Sequence, residues 1–114
     1  MLQGIYSICF QSSLATVGEG VAVFDACGVH GAGDGHIYRG AQRAEDGKHM
    51  LDLEIVHFRG PKYPAFGPLT RLRATLEVTE VHPCGFKASG TLVESMSIRL
   101  HVLAEKMGEL MPPV

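Results

Sequence analysis

The side chains of this chain with the means to do chemistry are six histidines, three cysteines and a few neighbouring carboxylates. The histidines His30, His36, His49, His57, His82 and His101 are scattered. A metal centre needs three or four ligands converging at about 2 Å. The densest group is Cys27, His30, Asp34 and His36, but a histidine pair at i, i+6 astride a glycine-rich turn is not a recognised ligand spacing. No metal site is expected there. Cys84 with a distant histidine could imitate a thiol nucleophile, yet no local signature accompanies it. Asp52 and Glu54 share one face of a strand, as a general acid/base pair would, and a solvated strand face looks the same. The expectation is a protein that is not an enzyme and carries no cofactor.

The stretch Gly31-Ala32-Gly33-Asp34-Gly35-His36-Ile37-Tyr38-Arg39-Gly40 invites a phosphate-loop reading. A phosphate cradle needs a helix after the glycines, so that backbone N–H groups and the helix N-terminus meet the anion. Ile37 and Tyr38 lead instead into another strand, and no Gly-Lys-Ser/Thr follows. Asp34-Gly35 therefore reads as a two-residue hairpin turn, whose central positions need the positive φ that glycine accepts.

The elements that must position these residues are strands. A chain of 114 residues with 46% apolar and 19% charged residues is expected to be one domain, residues 1–114, with its own core. A net charge of -2 sets up no field for polyanions, and the nearest thing to a basic patch is Arg71 with Arg73. Direct binding of nucleic acid is not expected. The N-terminal residues show no signal-peptide pattern and every apolar run is interrupted by charge or histidine, so the expectation is a cytoplasmic protein with no membrane contact. Three widely spaced cysteines fit buried free thiols better than a disulfide framework.

Period-two alternation recurs along most of the chain. It predicts strands at residues 4–11, at residues 20–25, around Val29, at residues 37–42 and at residues 49–58, the last two joined by a polar turn at Glu45-Asp46-Gly47-Lys48. Residues 60–68 hold three prolines and form the main irregular loop. Leu72, Ala74, Leu76 and Val78 then alternate with polar residues, Pro83-Cys84-Gly85 turns the chain, and strands follow at residues 86–92 and 96–102. About eight strands at this spacing suit an all-β sandwich or barrel. A small eight-stranded antiparallel barrel of lipocalin type is the preferred architecture, because closure removes the open edges that invite aggregation. Residues 102–111 leave room for at most a short C-terminal helical turn, ended by Gly108 and Pro112.

The succession Gly4-Ile5-Tyr6-Ser7, Gly18-Glu19-Gly20-Val21 and Gly33-Asp34-Gly35-His36-Ile37-Tyr38-Arg39-Gly40 resembles the GrlR family, small negative regulators of type III secretion. The resemblance runs through most of the chain in order and in strand spacing, and it rests on turn and strand residues. It implies an eight-stranded lipocalin-like barrel that forms a homodimer. Such a protein represses by sequestering a DNA-binding transcriptional activator of helix-turn-helix type. In that family the activator is met by an acidic Glu-Asp-Glu-Asp motif in the loop after the Tyr-x-Gly segment. Here the loop reads Ala44-Glu45-Asp46-Gly47-Lys48, so Glu45 and Asp46 carry the match and are the candidate partner-binding residues.

A second reading is a small-molecule carrier or sensor that holds a small apolar ligand among Tyr6, Phe10, Phe24, Tyr38, Phe86 and Met96. Ordinary core packing accounts equally for those six. Tyr63 and Phe66, in the proline-rich loop, either add apolar surface for a partner or fold over the open end of the barrel.

Overall fold

In the computed structural model, residues 1–14, 18–26, 28–62, 64–66 and 68–112 are described. Cys27 and Tyr63 lie outside them. Eight strands follow one another: β1 (Gly4–Ser12), β2 (Glu19–Asp25), β3 (Gly28–Gly33), β4 (His36–Glu45), β5 (Lys48–His57), β6 (Arg71–His82), β7 (Gly85–Leu92) and β8 (Arg99–Gly108). Each pairs antiparallel with the next, and β8 pairs with β1, so the sheet closes into a barrel in up-and-down order. A single 3-10 turn, Pro64–Phe66, interrupts the β5–β6 connection.

Alternation sets which residues point inward. Tyr6, Ile8 and Phe10 of β1, Leu51, Leu53 and Ile55 of β5, and Leu72, Ala74 and Leu76 of β6 are all buried, while the residues between them are not. The period of two places every second side chain on the core face, as the sequence pattern requires. Two clusters of rings fill the interior. Near one end Tyr6, Phe24 and Phe86 form a triangle with centroids 5.2 to 5.3 Å apart, each pair meeting edge to face. Near the other, Phe10 meets Tyr38 at 5.0 Å and Phe66 at 5.2 Å, and Phe66 meets His36 at 5.1 Å. Edge-to-face contact directs the positive ring edge at the negative face of its neighbour.

Both ends are sealed. At the mouth, Phe66 is fully buried, so the proline-rich loop folds over the barrel opening and does not present this ring to solvent. At the opposite end Leu2 is buried, held by the Gln42 side chain. The Gln42 amide donates to the carbonyls of Leu2 (2.8 Å) and Asp25 (3.2 Å). Its oxygen accepts from Leu2 N–H (2.9 Å) and from His49 Nε2 (2.9 Å). All four of its hydrogen-bonding positions are therefore used.

Three expectations change. Residues 102–111 hold no helical turn, because β8 continues to Gly108 and pairs with β1 from Ser12↔Leu100 to Ile5↔Gly108. Closing the barrel satisfies backbone groups that a short isolated helix would leave at its ends. Met96 does not lie in β8 or in the interior; it stands 71% exposed in the β7–β8 connection. The positive-φ hairpin falls at the other Asp-Gly. Asp46 (φ 52°) and Gly47 (φ 77°) form the two-residue turn between the paired Glu45 and Lys48. Gly35 is outside the left-handed region and is glycine for space, since a Cβ there would lie 2.4 Å from the Arg59 carbonyl oxygen.

The two glycines should therefore respond differently to substitution. Gly47→Asn is expected to cost less than about 0.5 kcal/mol, because asparagine tolerates positive φ and nothing lies within 4 Å of a Cβ there. Gly35→Asn and Gly35→Ala should each cost about 1–3 kcal/mol, because the obstacle is backbone that must shift. Urea unfolding midpoints of the three variants check this.

Candidate functional site

The expected pocket residues divide sharply. Tyr6, Phe10, Phe24, Tyr38 and Phe86 all lie inside the barrel, where their rings pack on one another. An enclosed void of about 10 Å³ remains among Ile8, Phe10, Ala22, Phe24, Val29, Tyr38, Leu51, Leu53 and Val102. Space of that size is at or below what one water requires. Met96, outside the core, contributes nothing to it.

The other chemically equipped residues are separated by the same alternation. His30 points outward from β3 and His36 inward from β4, so these two cannot share a ligand. Among the described residues no group of three or more His, Cys, Asp or Glu side chains converges. Cys84 is exposed in the β6–β7 turn and Cys9 is half-buried on β1.

The outer face is organised in rows by strand register. One row is apolar: Val21 pairs with Ala32, Ala32 with Ile37, and Ile37 with Val56, so four side chains cross β2 to β5 in line. Phe58, two residues beyond Val56 and 49% exposed, extends it towards the mouth. The next row is charged. His30, Arg39, Glu54 and Arg73 are successive cross-strand partners. Arg39 Nε donates to Glu54 at 2.7 Å, and Arg73 reaches Glu94 at 3.4 Å. The Arg39 guanidinium holds the Glu54 carboxyl below the usual carboxylate range, aided by Arg71 and Arg73 and opposed by partial desolvation. Asp52 and Glu54 share the outer face as expected, and each is engaged by an arginine. A shallow groove of about 390 Å³ runs along the charged row on the side away from the apolar one, lined by Arg39, Glu54 and Arg73 together with Ala41, Asp52, Thr75 and Val93.

Glu45 and Asp46 sit at the tip of the β4–β5 hairpin, where β4 has run past its last partner on β3, and both are exposed. The arrangement around them was not legible in the linear order. Arg43 spans Asp52 at 2.6 Å and Glu45 at 2.5 Å, and these two carboxylates raise its own affinity for the proton. Lys48 faces Glu45 across the turn and reaches Glu77 at 3.9 Å. Glu45 thus enters any contact already paired, whereas Asp46 has no ion pair among the described residues. Arg43 is the residue that inspection of the acidic pair alone misses. Its signal in the sequence is the two-residue offset that puts it on the same strand face as Glu45.

Eight strands in unbroken antiparallel order around a filled interior define the class: this is a closed, eight-stranded antiparallel β-barrel, all-β in its described residues. No family model and no curated protein matches the chain. Among solved structures, one described as a redesigned beta barrel is similar at 17% identity over 93% of this chain and 91% of that one, with a TM-score of 0.44. The fold assignment rests on the strand pairing itself. No described helix is long and apolar enough to cross a membrane.

The partition between core and surface predicts opposite outcomes for two residues of the expected pocket. Phe86→Ala removes one corner of the aromatic triangle and should cost about 3–5 kcal/mol. Met96→Ala should stay within about 0.5 kcal/mol. Chemical denaturation of both variants, at equal slope, measures the difference.

Proposed function

We propose that this barrel is a regulatory interaction module that works through its outer surface, binding and sequestering a DNA-binding activator of helix-turn-helix type. The observation that carries the reading is the filled interior. With about 10 Å³ of enclosed space among its core side chains, the barrel has little to offer a small ligand, whereas its outside carries an apolar row and a charged hairpin tip. The sequence resemblance to the GrlR family supplies the kind of partner and the link to type III secretion. In this reading Asp46, with Glu45 beside it, meets basic residues of the activator. Arg43 holds Glu45 in place and trims the negative charge on offer, so the contact is weaker and more salt-sensitive than one made by four unpaired carboxylates.

The homodimer belongs to the same proposal. Its surface is the row Val21, Ala32, Ile37 and the half-buried Val56 with Phe58, because contiguous apolar side chains on the outer face of four strands are the ordinary mark of a covered face. Sedimentation of the wild-type chain at micromolar concentration is expected to give a dimer, and Ile37→Arg a monomer with an unchanged circular dichroism spectrum. A wild-type monomer throughout that range refutes the dimer.

Capture of partners from native lysate, followed by addition of the purified barrel to the captured regulator on its DNA, tests sequestration. The expected result is recovery of a helix-turn-helix regulator and its release from DNA. The double variant Glu45→Lys with Asp46→Lys should weaken recovery about tenfold, the scale of two exposed charge reversals. Unchanged recovery refutes the hairpin contact and leaves sequestration standing; a regulator that stays on its DNA at saturating barrel refutes sequestration.

A further inference from the structure

At the end of the barrel opposite Phe66, outside the filled interior, a cleft of about 520 Å³ opens beside the Leu2 seal. Its volume is of the order usual for small-molecule sites, roughly 300–1,000 Å³. Leu2, Val81 and Pro83 give it apolar walls, and Tyr6, Lys106 and Glu109 are polar groups within it.

Tyr6 and Lys106 are direct cross-strand partners, and the register shifts between Ile5 and Tyr6 beside them. Partners in a ladder share a face, so Lys106 ends the inward series Leu100, Val102 and Ala104 on β8 with a charge. Its stem lies over Gly4, where an added Cβ would stand 2.8 Å from Cε, and its side chain is 24% exposed. Irregular register of this kind re-aims side chains and recurs beside active sites.

Tyr6 is 4% exposed, and its ring meets Phe24 and Phe86 edge to face. Among the described residues its hydroxyl has no hydrogen-bond partner, although a tyrosine hydroxyl at this depth ordinarily finds one. Because the ring is enclosed by the core and the residue lines the cleft, the hydroxyl is the end it turns towards the opening. Lys106 Nζ donates to Glu109 at 2.6 Å. Glu109 follows the last residue of β8 and is 78% exposed at its side chain. Its carboxylate raises the proton affinity of Lys106 against partial desolvation, and Tyr6 adds to this electrostatically, so hydroxyl and ammonium act on one another.

We propose that this cleft binds a small monocarboxylate with an apolar body: the carboxylate accepts from the Tyr6 hydroxyl and the Lys106 ammonium, and the hydrocarbon lies along Leu2, Val81 and Pro83.

The donor set selects that class. A hydroxyl and an ammonium at one place are matched by a group with two acceptor oxygens and a single negative charge. Glu109 already shows that Lys106 takes a carboxylate, and it does so from a solvated position, where ion pairs are weak and readily exchanged. The incoming carboxylate replaces that pair and adds the hydrogen bond to Tyr6 that Glu109 does not make. Covering Val81, 62% exposed, supplies the apolar part. An inorganic anion would leave those walls bare, and a neutral apolar molecule would leave Tyr6 and Lys106 unmet. The site stands apart from the outer rows and is independent of whether the barrel sequesters an activator.

The test titrates hexanoate into the full chain, labelled for nuclear magnetic resonance, at constant pH and ionic strength. Saturable amide shifts centred on Tyr6, Val81 and Lys106 are expected, with a Kd below about 10 mM. Hexanol lacks the head and acetate lacks the body, and each should bind at least about tenfold more weakly. Tyr6→Phe keeps the ring contacts and removes only the unpartnered hydroxyl; it should weaken hexanoate about tenfold while the urea midpoint stays unchanged. Lys106→Met should weaken it at least as much, and if that variant does not fold, the other two decide. Glu109→Gln removes the resident carboxylate and should tighten binding about threefold, a gain that a merely structural Lys106–Glu109 pair would not give. Absence of saturable shifts, shifts confined to residues outside the cleft, or hexanol binding as tightly as hexanoate overturns the proposal. Unchanged affinity in either Tyr6→Phe or Glu109→Gln overturns it too.

Discussion

Closure of β8 onto β1 is the constraint on which the rest of the structure depends. A sheet of eight short strands has two edges, and each would expose a row of backbone donors and acceptors. Pairing Ser12 through Ile5 with Leu100 through Gly108 removes both edges at once. It also decides the interior, because eight strands enclose a cross-section about as wide as the side chains that point into it. Two clusters of edge-to-face rings and the aliphatic residues between them occupy that space, and about 10 Å³ is left in the enclosed void among them.

From this filled core the other features follow. Among the described residues the barrel interior is lined by apolar side chains, with His36 the buried exception, and the charged side chains lie outside or at the rims. Register sorts the outer residues into rows, one apolar and one built of arginine and glutamate in alternation. The two ends are sealed by different chemistry. One uses an amide, Gln42, with every hydrogen-bonding position engaged. The other uses a phenyl ring, Phe66, set against a buried imidazole.

Much of the fold could be read from alternation, because period two over Tyr6, Ile8 and Phe10, or over Leu72, Ala74 and Leu76, states directly which side faces the core. Reading failed where the deciding partner was distant in the chain. Residues 102–111 carry an ambiguous local pattern, and pairing with β1, and up to Glu105 with β7, makes them a strand as far as Gly108. Two Asp-Gly dipeptides have the same local preference for a tight turn. Asp46-Gly47 takes it because Glu45 and Lys48 are opposed in register, whereas Gly35 answers to the approach of the Arg59 carbonyl from another connection. Met96 continues the apolar alternation of residues 98–102 on paper, but the strand starts after it, and its side chain is outside.

The sequence by itself determined the class of secondary structure, the inward face of most strands and the position of the acidic hairpin tip, since each depends on residues within a few places of one another. Tertiary structure alone decided how the core side chains pack, that Arg43 reaches Asp52 on the neighbouring strand, that four apolar residues from four strands line up, and that His36 lies against His57 and Phe66. These are contacts between strands, and their existence depends on register and closure, which are properties of the whole sheet and of no single segment.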